Sequence, residues 1–283
     1  MMTTYTETAA STPAFNPLNN VVADRFEPRS RDSRTPPSAL INGNRPSADV
    51  CNHRARSFWR ESLALMEQHL PFARRKVRPE DQVYQCGQAF DTLYVVNSGL
   101  FKIVNLAPDG REQPAGLYLK GDWLGFDGIP TGRHGCSAIA LDIGEVWAIR
   151  YDTLLQASAK EPKLMRVVLA AMSAQLARNR DMTMSMGTLA ADARVGDFLL
   201  QLAMALDERG QRTDQINVRM TRADMGNYLG LRLESVSRAL SRLARCGIIE
   251  FNERGRRQIS IPSMAALTEF IQNSAGHGVP TLQ

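Results

Sequence analysis

RMTRADMGNYLGLRLESVSRALSRLARCGIIEFNERGRR, residues 219–257, is the stretch on which the fold turns. Thr221 stands where a helix N-cap would, and Asp224 three residues on completes a capping-box-like pair. That helix ends near Leu229-Gly230-Leu231, where Gly230 supplies the left-handed backbone that a tight inter-helix turn needs. In the helix that follows, Val236, Leu240 and Leu243 fall at i, i+4 and i+7 and pack inward. Glu234, Ser237, Arg238, Ser241, Arg242 and Arg245 take the other side. Gly247 stops this helix. Ile248-Ile249-Glu250-Phe251 and Gln258-Ile259-Ser260-Ile261 then read as two short strands around Gly255, closed by Pro262. Two helices at a tight turn, followed by a basic hairpin, make a winged helix-turn-helix.

Charge points the same way. The stretch holds nine arginines against four acidic residues, a net of +5, and the whole chain also sums to +5. All of the positive excess therefore sits here, which implies a polyanion partner met at this place, double-stranded DNA above all. An ordinary solvated arginine-rich helix is the bland alternative. The coincidence of motif, basic wing and charge argues against it.

MTRADMGNYLGLRLESVSRAL, with its glycine-containing wing, resembles the helix-turn-helix of the Crp/Fnr transcription regulators, specifically the Fnr-like branch. That branch carries E-x-x-S-R at the start of its recognition helix, matched here by Glu234, Ser237 and Arg238. The resemblance implies a dimer reading an inverted repeat of TTGAT half-sites, with RNA polymerase as a further partner. The chemistry is suitable: arginine presents two parallel donors to guanine O6 and N7, glutamate accepts from cytosine N4, and serine touches thymine or a neighbouring edge. Backbone contacts are expected from Thr221, Arg222, Arg232, Arg242, Arg245, Arg254, Arg256 and Arg257. Arg232 is a departure, because the family has a small polar capping residue there. Its loss costs the helix about 1 kcal/mol.

At 283 residues and 43% hydrophobic content, the chain can fold two modest domains plus tails. Residues 1–50, rich in Thr, Ser, Pro and Arg, read as a disordered tail. The predicted division continues with a sensor domain over 51–158, a dimerisation helix over 159–190, the DNA-binding domain over 191–272 and a C-terminal tail over 273–283. No apolar signal region and no run of about 18 apolar residues is present, so a cytoplasmic protein without a membrane partner is expected. Cys51, Cys86, Cys136 and Cys246 are too widely spaced for a disulfide framework or a zinc motif, and the four histidines have no ligand spacing. With no nucleophile elbow, Walker loop or dinucleotide fingerprint, nothing proposes catalysis or a cofactor.

Residues 57–72 suggest an amphipathic helix with Phe58, Leu63, Met66 and Leu70 buried. From about Val77 to Ile149 the texture is that of short strands and turns. Leu93–Val96 and Leu100–Val104 flank Asn97-Ser98-Gly99, a hairpin signal, and nine of the chain's 20 glycines lie between Gly87 and Gly135. This is an antiparallel roll or barrel, with Pro114 suited to an edge strand or bulge. SGLFKI, LYLKGDWLGFDGI and WAIRYDTLL resemble the sensor of the same family, a β-roll of the cyclic-nucleotide-binding type. The fold class is therefore α+β: an N-terminal cyclic-nucleotide-binding-type β-roll, a long dimerisation helix and a C-terminal winged helix-turn-helix.

The departures bear on what the roll senses. Cyclic-nucleotide binders of this kind place a glutamate after the Gly-Asp and an Arg-Ser pair further on; here Phe126 and Cys136-Ser137 stand in those places. Without that arginine a phosphate lacks its bidentate partner, so cyclic AMP is not expected. Fnr-like oxygen sensors hold a [4Fe–4S] cluster on three closely spaced N-terminal cysteines and a fourth in the roll. This chain has only Cys51 ahead of the roll, and Trp147 stands where the fourth ligand would fall. Two alternatives stay open: an unidentified small effector in the roll, or thiol sensing of oxidants by Cys136, near His134, and Cys246, beside Arg245.

From Pro162 a helix is predicted to run through Leu189. Met165, Val168, Met172, Gln175, Asn179, Met182, Met186 and Leu189 alternate at three and four, the pattern of a coiled-coil dimer seam. Asp192–Leu206 would open the DNA-binding domain with Val195, Phe198, Leu199 and Leu202 inward. The expected function is a homodimeric, sequence-specific DNA-binding transcription regulator, provisionally an activator, with no iron–sulfur cluster and no enzymatic activity.

Overall fold

The computed structural model describes residues 48–106, 110, 112–213, 215–251 and 258–275. The wing segment with Arg254, Arg256 and Arg257, and the N-terminal stretch before α1, lie outside the described residues.

Helix α1 (Ala48–His69) leads into β1 (Ala73–Val77), β2 (Gln82–Tyr84), β3 (Thr92–Ser98), β4 (Phe101–Leu106), β5 (Glu112–Tyr118), β6 (Trp123–Leu124), a 3₁₀ turn (Phe126–Gly128), β7 (Ser137–Ala140) and β8 (Gly144–Arg150). The strands form two antiparallel four-stranded sheets, ordered β1-β8-β3-β6 and β2-β7-β4-β5. Tyr84, Tyr94, Val96, Phe101, Tyr118, Leu124 and Val146 fill the core they share. Strands β3, β6 and β8 of the first sheet are largely buried on both faces, while the edge strand β1 is mostly exposed. The alternate residues Leu93, Val95, Trp147 and Ile149 pack outward against Met66 and Leu70 of α1 and the helices after the roll. The β3–β4 hairpin turns at Gly99, with φ 91°, where an added Cβ would meet Gly144 Cα at 2.9 Å. Pro114 lies on the edge strand β5, opposite a register shift between Ile103 and Val104.

Phe58 departs from expectation. It is 36% exposed and sits at the rim of a groove between later helices rather than in the roll's core.

Helix α2 (Tyr151–Lys160) is followed by α3 (Pro162–Thr188), whose first turn has proline at its start and Glu161 accepting from the Lys163 amide at 3.2 Å. Part of the dimer seam predicted on α3 is engaged within the chain itself. Val168 is buried in the chain's own core with Leu164, Val167 and Ala171, and Met165 packs on the same cluster. Gln175 bonds to the roll, and Met182 and Leu189 pack on the DNA-binding domain. The face left open carries Leu169 and Leu176, 57% and 69% exposed, with Thr183 a further seven residues on. Asn179 and Met186 of the predicted set lie beside that line, and Met172 borders both it and the core cluster, so the outward repeat is Leu169, Leu176, Asn179, Thr183 and Met186 with Met172 at its margin. The helix has two apolar sides, and the predicted pattern mixed them.

The C-terminal part is α4 (Ala191–Glu208), β9 (Gln215–Asn217), α5 (Arg222–Leu229), α6 (Leu233–Arg245), β10 (Glu250–Phe251), β11 (Gln258–Ser260) and α7 (Met264–Ala275). A three-stranded sheet in the order β10-β11-β9 makes the wing. Val195, Phe198, Leu199 and Leu202 of α4 meet Val236, Leu240 and Leu243 of α6 and Leu267 and Ile271 of α7 in one core. Neither β9 nor α7 was expected. The predicted wing strands are shorter than read, two and three residues. No helix among the described residues is long and apolar enough to cross a membrane.

Candidate nucleic-acid interface

The reading helix is held by local chemistry. Thr221 Oγ1 accepts from the Asp224 amide at 3.0 Å, and Asp224 Oδ2 accepts from the Thr221 amide at 3.4 Å. This reciprocal capping box starts α5. Gly230 ends it in the left-handed region at φ 64°. Gly226 allows the turn to close, since a Cβ there would meet Leu231 O at 2.7 Å. Arg194 of α4 clamps the junction, donating to Leu229 O at 3.0 Å, Met186 O at 2.7 Å and Leu189 O at 2.9 Å. These carbonyls are helix-terminal groups that would otherwise lack partners.

Helix α6 buries Val236, Ala239, Leu240 and Leu243 and turns the rest outward. Glu234 and Arg238 are exposed one turn apart in its N-terminal half, with Ser237 half-buried between them. Arg242 and Arg245 continue the exposed face toward the C-terminus, and the Arg242 guanidinium pairs with Asp192 of α4 at 2.6 Å. Arg232 occupies the N-cap without a side-chain capping bond, as its chemistry predicts, and is exposed. Thr221 is exposed at the start of α5; Arg222 is half-buried, its guanidinium 6.0 Å from the Phe251 ring centroid. The structure thus brings Glu234, Ser237, Arg238, Arg242 and Arg245 onto one helix face. It also exposes Leu233, an apolar neighbour of Glu234 that the motif reading passed over.

Sequence reasoning also missed the ties between roll and DNA-binding domain. Lys102 of β4 pairs with the capping carboxylate Asp224 at 3.4 Å, and Arg219 with Asp142 at 3.1 Å. Arg209, at the end of α4, donates to Asp122 Oδ1 at 2.8 Å and Lys120 O at 2.7 Å, and Arg178 of α3 reaches the same carboxylate at 3.2 Å. No local spacing announces such pairs.

The roll interior is occupied by the chain's own side chains. Tyr84 and His134 rings stack at 3.8 Å, and Tyr84 Oη lies 3.9 Å from Cys136 Sγ. Phe126 lies outside that interior, stacked on Trp123 in the cluster that packs against α1 and the helices after the roll. His134 is buried, and desolvation lowers its pKa despite Asp127 Oδ2 at 3.8 Å, so it is neutral near pH 7 and supplies no cation. Cys136 is 7% exposed, and burial, with Asp127 adding to it, pushes its thiol up to about 12. The alternative of a cation-assisted loop thiol at Cys136 gains no support: it lies under the loop as a protonated core residue. Cys246, after the last turn of α6, is exposed. Trp147 is buried, stacked on Phe72 at 4.3 Å, and leaves no thiolate at that position. Among the described residues no cluster of three or more His, Cys, Asp or Glu side chains could hold a metal ion.

Residues 74–161 match the family model of the cyclic nucleotide-binding domain, and residues 193–270 that of the Crp-like helix-turn-helix domain. The chain is 32% identical over 196 residues to an anaerobic regulatory protein of Pasteurella multocida, covering 69% of this chain and 71% of that one. It is 30% identical over 202 residues to the fumarate and nitrate reduction regulatory protein of Salmonella typhimurium, covering 71% and 81%. Among solved structures it is similar to FixK2 from Bradyrhizobium japonicum, with TM-score 0.63 and 30% identity over 71% of this chain and 97% of that one.

Proposed function

The chain belongs to the Crp/Fnr family of DNA-binding transcription regulators, and on that premise we propose that it acts as a homodimer reading an inverted repeat of TTGAT half-sites. The observation that carries this reading is the outward face of α6, where Glu234, Ser237 and Arg238 stand together on a helix whose opposite side is core. Arg238 donates to a guanine, Glu234 accepts from a cytosine, and Ser237 meets a neighbouring base edge. Leu233 is placed to touch a thymine methyl. Thr221, Arg222, Arg232, Arg242 and Arg245, with the wing arginines 254, 256 and 257, meet phosphates. The open repeat on α3 pairs the two copies, and RNA polymerase is the further partner in the cytoplasm.

Neither cyclic AMP nor an iron–sulfur cluster is assigned to the roll. Phe126 and the buried Cys136 stand where the nucleotide's partners would be. A four-thiolate cluster does not fit a chain with four cysteines, one of them beside Tyr84 in the core and another beyond α6. No catalytic role is proposed.

A mobility shift tests the reading. The full chain, in air and without added ligand, is expected to retain an inverted-repeat TTGAT duplex and to lose most of that affinity when one half-site is scrambled. Equal retention of both duplexes would sink the dimeric reading. Stoichiometric iron and acid-labile sulfide in an anaerobic preparation would sink the cluster-free one.

A further inference from the structure

Between α3 and α4, closed at one end by α5, lies a cavity of about 590 Å³. Ala170, Ala174 and Ala177 leave room on the α3 side, and Met182, Phe198 and Tyr228 give it an apolar floor. Its size falls within the range of small-molecule pockets, about 300–1,000 Å³. Two polar groups that line it are unspent, and one is a neutral hydroxyl. Ser185 is 6% exposed, lines the cavity, and its Oγ has no hydrogen-bond partner.

That orphan hydroxyl is unusual for its place. Helical serine and threonine side chains commonly bond the carbonyl four residues back. Thr183 does so to Asn179 O at 2.9 Å, Thr188 to Met184 O at 2.7 Å, and Ser241 to Ser237 O at 2.9 Å. Ser185, on the same helix as the first two, leaves that bond unmade. Buried polar groups without partners are rare and call for an absent one. Arg194 Nε, also lining the cavity, is the second orphan.

Two charges around the cavity, Arg194 and Asp197, one of each sign, bond only to carbonyls or an amide, and the others are engaged. Arg178 pairs with Asp122, Asp181 with Arg180, and Asp197 accepts from Gln201 at 3.4 Å. Burial raises the Glu208 pKa, which disfavours its charge. A guest of single charge would therefore meet attraction and repulsion together, from Arg194 and Asp197, whereas a neutral one would lose little water.

We propose that this cavity is a binding site for a small, neutral, mainly apolar molecule with one hydrogen-bonding group, which takes up Ser185 Oγ. Such a guest would touch both the helix that carries the outward repeat and the first helix of the DNA-binding domain.

Nile red tests this on the full chain, having a flat apolar body and a carbonyl for the serine to donate to. Saturable enhancement at about one dye per chain is expected, with Ser185→Ala weakening binding about three- to tenfold, the size of one lost hydrogen bond. Ala174→Leu and Ala177→Leu, which fill the cavity, should weaken it further. Thermal melts followed by circular dichroism check folding, and if either leucine variant fails to fold, Ser185→Ala decides alone. Absence of saturable binding overturns the proposal, as does a Ser185→Ala affinity equal to that of the unmodified chain. Dye release as chain concentration rises also overturns it, because a second copy would then be the occupant.

Discussion

Gln175 on α3 donates through Nε2 to Tyr118 Oη on β5 at 2.7 Å. This side of the long helix is therefore bound to its own roll, and the side that can meet a partner is the one bearing Leu169 and Leu176. Leu176→Glu should turn a micromolar dimer into a monomer, since a carboxylate facing its symmetry mate is both desolvated and repelled. Asn179→Asp should weaken the dimer less. Gln175→Ala should leave association unchanged while costing the fold about 1 kcal/mol. Sedimentation at micromolar concentration distinguishes these outcomes. Dissociation by Gln175→Ala with none by Leu176→Glu would return the seam to the originally expected face.

Among the described residues, Arg209 and Asp122 form the most buried ion pair joining the DNA-binding domain to the roll, both side chains being 3% exposed. Asp122 Oδ2 also accepts from the Leu119 amide at 2.8 Å, fixing the turn before β6. Arg209→Met would strand a buried carboxylate with Arg178 as its remaining ionic partner. Urea unfolding should show a loss of about 3–5 kcal/mol. Adding Asp122→Asn should recover part of it, because the stranded charge is then gone. A loss below about 1 kcal/mol for Arg209→Met would mean that the pair behaves like a surface one.

The thiol of Cys136, raised from an ordinary 9.0 to about 12 by burial, is protonated at physiological pH. Alkylation of the native chain at pH 8 should label the exposed Cys86 and Cys246 and spare Cys136 until denaturant is added. The linkage sign follows. Between pH 9 and 12 the unfolded thiol has lost its proton while the folded one keeps it, so stability present below that window falls as pH rises through it. Cys136→Ala should flatten part of this alkaline decline. Rapid native labelling of Cys136, read by mass spectrometry, would restore it as a sensor candidate.

What could be read from the sequence was local. The Thr221–Asp224 box, the Gly230 turn and the inward row Val236, Leu240 and Leu243 depend on spacings within one helix or turn, and all three stand in the structure. On α3 spacing alone does not separate the two apolar sides, because Met172, Asn179 and Met186 belong to one repeat and border another. Only packing against the roll reveals which intervening residues are already covered. β9 is three residues long and gains its meaning from pairing with β11, more than forty positions away. Pairs such as Lys102 with Asp224, 122 positions apart, have no periodic signature. Cys136 beside His134 left an activated thiol open as an alternative, and sheet packing buries both and removes the cation.

The central claim is that the face of α6 reads bases, and Arg238 tests it most directly. Equilibrium binding of the full chain and of Arg238→Ala should be compared, at one fixed salt concentration, on duplexes carrying each base pair in turn across a TTGAT half-site. The unmodified chain should discriminate at the guanine pair by about 1–3 kcal/mol per half-site, and Arg238→Ala should lose that preference while keeping the others. Arg245→Ala, a phosphate contact, should instead weaken all duplexes alike and reduce the salt slope by about one. An Arg238→Ala chain that still prefers guanine as strongly as the unmodified one would contradict the account.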